Sequence, residues 1–291
     1  MRKAIKAARA RRDPHAKRRA QIAERVPYLA PLRVPAEPPP IRQTHGSLEV
    51  ATYNVHRFAG VRGGQKWNPD LAIKVIEELD SDIIGLQEVL RPFQKEDPLE
   101  ILSDALNMHV AFAVTRAHRR GELGNAVLSR RPMKAVFTLD LNFGILERRS
   151  AVAAQFHGGT HDLTVVATHL ALIDRTRERQ VHSILDHPEL QGPTLLLGDM
   201  NAWRQCRATK RLDDNFTTRH HNQNWQPTFP APLPVLSLDR IYSRGVTVKE
   251  MRPHNTPAAR RGSDHLPLVA TLELGGFDMV ERRNRGPNRL R

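Results

Sequence analysis

Apolar positions along this chain recur at two spacings, and the switches between them mark out alternating strands and helices. "LEVATYN" (48–54) has the run and spacing of a strand. "NPDLAIKVIEELD" (68–80) predicts a helix, with Pro69 in its first turn and apolar residues at 71, 72, 75, 76 and 79. "DIIGLQE" (82–88) follows as a buried strand and "PLEILSDALN" (98–107) as a second helix. "HVAFAVT", "NAVLSR" and "KAVFTLDL" predict strands on short turns, and "RSAVAAQFH" and "DLTVVATH" flank a "GGT" hairpin turn. "DRTRERQVHSILDHPEL" (174–190) predicts a helix with a charged outer face. "TLLLG" is a short buried strand between Pro193 and a glycine that ends it, and late strands are expected at "SLDRIYSR", "VTVKEM" and "LPLVATLEL". Helices mixed with antiparallel-looking hairpins favour two sheets with helices outside over one doubly wound parallel sheet.

Composition places this pattern within the 291 residues. "VPYLAPLRVPAEPPP" (26–40) is proline-rich and is expected to be extended. The expected organisation is a basic tail over 1–25, a linker over 26–47, one catalytic domain over 48–276 and a second basic tail over 277–291. The net charge of +14 resides mostly in the tails: ten Lys/Arg against two acids in 1–25, and five Arg against two acids in 277–291, leave only +3 for the centre. Such tails suit nucleic acid or an anionic membrane lipid by the same electrostatics, so the charge does not choose a substrate. No obligate protein partner is implied. The single cysteine, Cys206, excludes an internal disulfide framework and a Cys-rich zinc site. The basic start lacks the apolar segment of a signal peptide, and no run approaches the roughly 18 apolar residues of a membrane span. A soluble, cytoplasmic protein is the expectation.

Chemistry enters through the ends of the strands. "LLLGDMNAW" (195–203) delivers Asp199 and Asn201 at the end of a buried strand. The pair suits a hard cation or the polar groups around one, and equally suits an Asx-turn that caps local backbone. The same pattern recurs elsewhere. "VATYN" ends on Asn54, "DIIGLQE" on Glu88 and "LTVVATH" on His169; "SLDRIY" carries Asp239, and "GSDHLPLVATL" sets Asp264 and His265 just before a strand. Singly, each fits a paired structural group. Jointly, each buried polar group would need its own partner or cost about 1–3 kcal/mol, whereas one metal and one anionic ligand would satisfy all of them.

In this order, "TYNVH", "IIGLQEV", "GNAVLSRRP", "VVATHL", "LLLGDMNAW", "LDRIY" and "SDHLPL" resemble the endonuclease/exonuclease/phosphatase superfamily, from about Leu48 to Leu274. The resemblance implies a four-layer α/β sandwich, two mixed sheets packed face to face with helices outside. It also implies phosphoesterase chemistry dependent on a divalent metal, Mg²⁺ with Mn²⁺ as a substitute. By the same resemblance Glu88 is the main metal ligand, with Asn54 and Asp264 near it. Asp199 and Asn201 orient the attacking water and contact the phosphate, His169 donates to a phosphate oxygen, and His265 with Asp239 forms a His–Asp pair. Two departures matter. Where several members carry an acid two residues after the first Asn, this chain has His56, a poorer Mg²⁺ ligand, which leaves it either contacting phosphate or facing solvent and favours a single metal site. The mid-chain tyrosine of the abasic-site endonucleases is missing; "LERRSAV" (146–152) stands in its place, with Arg148 and Arg149 as candidate phosphate-gripping residues. The expected function is a metal-dependent phosphodiester hydrolase, first of all a nuclease. The alternative is a phosphoesterase acting on a phospholipid headgroup or a small phosphorylated metabolite. A catalytically silent binding module would require a lost catalytic residue, and none is lost.

Overall fold

In the computed structural model, described for residues 13–37, 39, 46–64, 67–94, 96–143, 147–158, 161–216 and 225–273, two sheets stack face to face. The strands are β1 (Tyr28–Leu29), β2 (Ser47–Asn54), β3 (Ile83–Pro92), β4 (His109–His118), β5 (Gly121–Ser129), β6 (Ala135–Asp140), β7 (Ser150–Phe156), β8 (Leu163–His169), β9 (Thr194–Asp199), β10 (Asp239–Arg244), β11 (Thr247–Pro253) and β12 (Leu268–Glu273). The larger sheet has the order β1-β4-β5-β3-β2-β12-β11 and the smaller one β10-β9-β8-β7-β6. The helices are α1 (Ala16–Arg25), α2 (Pro69–Leu79), α3 (Pro98–Leu106), α4 (Asp174–Leu185), α5 (Arg207–Asn215) and α6 (Ala259–Gly262).

Because both faces of each sheet are covered, the central strands are apolar on both sides, and side-chain alternation sorts them into three layers of core. Leu48, Val50, Ile83 and Val127 meet Val152, Val165, Leu195, Leu197 and Ile241 between the sheets. Their neighbours Ala51, Tyr53, Ile84 and Leu86 turn outward onto Ala72, Val75 and Ile76 of α2 and Leu99 and Leu102 of α3. On the other side Ala151, Ala153, Val166 and Leu196 face Val181 and Ile184 of α4 and Leu212 of α5. The expected four-layer sandwich is the fold observed. The start of α2 is capped by Asn68, whose side chain accepts from the Asp70 amide, and that of α3 by Asp97, which accepts from Leu99 N; proline follows each cap.

Each sheet contains one parallel pair, β2–β3 with Asn54 beside Gln87 and β8–β9 with His169 beside Asp199. β12 runs antiparallel to β2, and β10 antiparallel to β9 with Asp239 beside Asp199. The carboxyl ends of the two parallel pairs and the starts of β10 and β12 therefore gather at one end of the sandwich.

Three expectations change. Part of the proline-rich stretch is sheet edge: Tyr28 and Leu29 pair with Val114 and Ala113, and the Tyr28 hydroxyl donates to Glu122 Oε1 at 2.5 Å. Residues 16–25 of the expected basic tail form α1, whose Ile22 joins the core; residues 1–12 and 277–291 lie outside the described residues. α4 has the expected charged outer face, but its Arg177 turns inward and is buried beside the neutral Gln180.

Candidate active site

Asp199 is the hub. Its Oδ1 accepts the Asn201 backbone N–H at 2.9 Å, an Asx-turn that swings Asn201 into left-handed backbone at φ 49°. Turn chemistry and site building are here one act. Its Oδ2 accepts Asn54 Nδ2 at 3.1 Å, tying the end of one sheet to the other. The same oxygen lies 3.4 Å from His169 Nε2 and 3.7 Å from His265 Nε2. Gly198 makes the approach possible: at φ 155° a Cβ there would sit 2.0 Å from the Thr168 carbonyl oxygen.

The two histidines are held in opposite ways. His265 Nδ1 lies 2.8 Å from Asp239 Oδ2, which also accepts the Thr228 hydroxyl at 2.6 Å. Its own N–H donates to Ser263 Oγ, whose hydroxyl donates to the Asn54 carbonyl at 2.6 Å. Burial works against a charged imidazole, but Asp239 and Asp199 overcome it and hold His265 up to about 10. His169 is pushed down to about 3, first by burial and then by the Arg149 charge. Asn201 Nδ2, which donates to the Leu170 carbonyl at 2.8 Å, also lies 2.8 Å from His169 Nε2, as suits a neutral ring accepting there. At neutral pH one ring is a cation and the other is neutral.

Glu88 stands at a break in register between β3 and β5, after Leu86 and before Val89, with φ 53°. Such a bulge re-aims a side chain out of the ladder. Its Oε2 is buried and, among the described residues, has no hydrogen bond; its ionic neighbour there is Arg57 Nη1 at 3.2 Å. A buried carboxylate oxygen in that condition fits a cation. Arg57 is presented by three consecutive left-handed residues, His56, Arg57 and Phe58, with φ of 45°, 59° and 56°. The turn is braced where Asn54 Oδ1 accepts the His56 amide at 3.1 Å. The His56 ring lies against its own loop, Nδ1 being 3.1 Å from the Gly60 carbonyl and 3.2 Å from Asp264 Oδ1.

Asp199, Asp239 and His265 offer donor atoms within 4.8 Å of one another and are a candidate metal cluster. Within that cluster His265 Nδ1 and Asp239 Oδ2 already engage each other at 2.8 Å. Of the two candidate arginines, Arg149 lines a cleft with Glu88, Arg116 and His169, whereas Arg148 donates to the Ala23 carbonyl of α1 at 2.9 Å. Sequence reasoning did not single out Arg57, Thr228, Ser263 or Arg177. The last is buried under the site and donates to the Ala171 and Asn201 carbonyls at 2.8 and 2.7 Å. Only the proximity of Ser263 to the Asp264–His265 pair was a usable signal.

A two-sheet sandwich that collects Asn, Glu, Asp and His at one end of its strands defines a class, and the sequence match agrees: the profile of the Endonuclease/Exonuclease/phosphatase family covers residues 51–265. The chain belongs to that family, and with it to the hydrolases of phosphoester bonds. Within it, the chain is 28% identical to the uncharacterized protein YbhP of Escherichia coli over 248 residues, 78% of this chain and 97% of that one. Among solved structures it is similar to an endonuclease/exonuclease/phosphatase from Beutenbergia cavernae, at TM-score 0.67 and 22% identity, covering 79% of this chain and 72% of that chain. It is also similar to the catalytic domain of human nocturnin with bound sulfate, at TM-score 0.63 and 21% identity, covering 80% and 95%. Among the described residues, no helix is long and apolar enough to cross a membrane.

Proposed function

We propose that the protein is a divalent-metal-dependent phosphodiesterase that cleaves nucleic acid, with Mg²⁺ as its ion and Mn²⁺ as a substitute. The observation that carries this reading is the convergence of Asn54, His169 and His265 on Asp199 Oδ2, with His265 held through Nδ1 by buried Asp239, surroundings that favour the cation at His265 and the neutral ring at His169. Hydrolysis of an anionic diester needs a proton donor and a proton acceptor at one centre, and environments that push two titratable groups apart supply both. Asp199, fixed by Asn54 and by the Asn201 amide, accepts a hydrogen bond from the attacking water and takes its proton as the new P–O bond forms and the opposite P–O ester bond breaks, the leaving oxygen departing as an alcohol once it takes up a proton from solvent. The His265 cation, held by Asp239, donates to a non-bridging phosphate oxygen, where negative charge is greatest. Asn201 holds the neutral His169 ring in place beside Asp199, and Arg149 faces the same recess. Glu88, with Asn54 and Asp264 nearby, would hold the metal, which supplies charge neutralisation of the phosphate and of the leaving oxygen.

A second reading, action on a phospholipid headgroup, is favoured by one observation. Leu172 and Ile173, directly after the His169 strand, and Trp203, directly after Asn201, are exposed, as are Leu233 and Val235 before Asp239. Hydrolysis of a matched panel decides: single- and double-stranded DNA, RNA, an abasic-site duplex, phosphatidylglycerol vesicles and a chromogenic diester, each with Mg²⁺ or Mn²⁺. Wild type runs beside Glu88→Ala and His265→Ala. The expected result is metal-dependent cleavage of nucleic acid that falls about a hundredfold or more in both variants. Cleavage of lipid alone would select the second reading, and full activity of Glu88→Ala would overturn the metal assignment.

A further inference from the structure

Beyond the Glu88–His169 cleft, one wall of the sandwich carries positive charge that the catalytic centre does not use. The β4–β5 hairpin reads Thr115-Arg116-Ala117-His118-Arg119-Arg120-Gly121; strand alternation sets Arg116 and His118 on one face, and Arg119 and Arg120 form the turn. Arg57 lies among them: its charge bears on Arg116, His118 and Arg120 together. Two cavities open along this wall. One is a small recess of about 10 Å³ among Glu88, Arg116, Arg149 and His169. The other, about 230 Å³, is lined by Trp67, Leu90, Gln94, His15, Arg119 and Arg120. They adjoin, since Glu88 and Leu90 are two apart on β3 and Arg116 and Arg120 four apart on the hairpin.

Arginines with a structural duty on this sheet have acidic partners. Arg91 pairs with Glu122, and Arg33 with Asp97. Arg116 and Arg119 are exposed and, among the described residues, form no hydrogen bond and no ion pair. Crowding of like charge is felt there: burial and the Arg149 charge lower Arg116, and burial with the charges of Arg120, Arg116, Arg57 and Arg119 pushes His118 down to about 4. Glu88 and Glu147 support the Arg116 charge without pairing with it; guanidinium groups crowded beside a phosphoester site favour an anion, and planar forks suit phosphate. The second cavity adds what a bare phosphate does not need, the Trp67 face beside Arg119 and Arg120. An aromatic plane next to guanidinium groups fits a base attached to its phosphate.

We infer that the β4–β5 hairpin and Trp67 form a second subsite, which binds a flanking nucleotide of a single strand, phosphate on Arg116, Arg119 and Arg120 and base on Trp67. This rests on the phosphodiesterase reading and sharpens it: the substrate is a strand with a phosphate next to the one cleaved, rather than an isolated diester. The test compares dithymidine monophosphate, which has one diester and no other phosphate, with tetrathymidylate, using the full chain with Mg²⁺. Wild type should prefer the tetranucleotide by about tenfold or more in kcat/KM, mainly through KM, as one good contact would give. That ratio should collapse toward one in Arg116→Gln and in the double variant Arg119→Ala/Arg120→Ala, and shrink in Trp67→Leu. A wild-type ratio near one, or variants that keep the wild-type ratio, would overturn the inference. If neither nucleotide is hydrolysed, the phosphodiesterase reading on nucleic acid fails by itself. Anisotropy of dye-labelled tetrathymidylate then decides the subsite: binding weakened about tenfold in the double arginine variant sustains it, and absent or unchanged binding removes it. The arginines are surface residues, and unchanged thermal midpoints confirm that the variants fold.

Discussion

Asp239→Asn is the sharpest single perturbation of the site, because it changes one charge and almost no volume. Asp239 Oδ2 holds His265 Nδ1 at 2.8 Å and the Thr228 hydroxyl at 2.6 Å, with no exposure to solvent. If the asparagine keeps Thr228 on its oxygen, its NH₂ faces Nδ1, and two donors then meet whenever the ring is charged. The His265 cation loses its main support. In the wild type the folded state holds that proton up to about 10, against 6.5 for an unperturbed histidine. At about 1.4 kcal/mol per pH unit this is worth roughly 5 kcal/mol of folding free energy. The sign follows from a raised pKa: the contribution is complete below pH 6.5, is roughly half gone by pH 8 and vanishes above about 10. The variant should therefore be less stable than wild type by several kcal/mol at pH 6, with the gap closing by pH 10. Its turnover should fall roughly 10²- to 10⁴-fold, the usual contribution of a positioned proton donor. Urea unfolding in EDTA at pH 6, 8 and 10 reads the first quantity, and hydrolysis of a chromogenic diester with Mg²⁺ the second. A stability gap independent of pH, or turnover within a few-fold of wild type, would refute the reasoning.

Gly198→Ala should destabilise the fold by about 3 kcal/mol or more, since its Cβ would lie 2.0 Å from the Thr168 carbonyl oxygen of the neighbouring parallel strand; a thermal melt reads it. Arg177→Met should leave the Ala171 and Asn201 carbonyls unpaired and cost roughly 2–5 kcal/mol in urea titrations. His169, pushed down to about 3, gives the opposite pH limb to His265: its contribution is present above pH 6.5 and is lost as pH falls, about 3 kcal/mol by pH 4. His169→Gln should flatten that acid limb, as followed by tryptophan fluorescence.

The strands and the long helices were legible because burial on both faces forces apolar runs, and polar residues then stand out wherever a run ends. Asn54, His169, Asp199, Asp239 and His265 show themselves in this way, and the structure gathers their strand ends at one end of the sandwich, whereas the strand expected to end at Glu88 runs on to Pro92 and carries Glu88 at a bulge. What supports them was not legible. Arg177 sits in a charged helix and looks like a surface residue until the Ala171 and Asn201 carbonyls are brought over it. Thr228 matters only because a long loop returns it to Asp239. Arg57 depends on three left-handed residues without a glycine among them, a conformation that no local propensity encodes. The proline-rich stretch misled for a similar reason: its composition suits a linker, and only the tertiary partners Val114 and Glu122 make part of it a strand.

The path of β12 has a consequence for how the protein is made. Asp264 and His265 immediately precede this strand, which closes the larger sheet by pairing with β2 at Leu268 to Glu273 against Thr52 to Ser47, more than two hundred residues earlier. Every other member of the site leaves the ribosome before them. A nascent chain that has already built both parallel pairs still lacks the His265 cation and the strand that locks it in place. The complete set of site residues therefore exists only once this strand, the final one among the described residues, is synthesised and paired with β2, and a chain cut short before it carries Asp199 and Glu88 without His265.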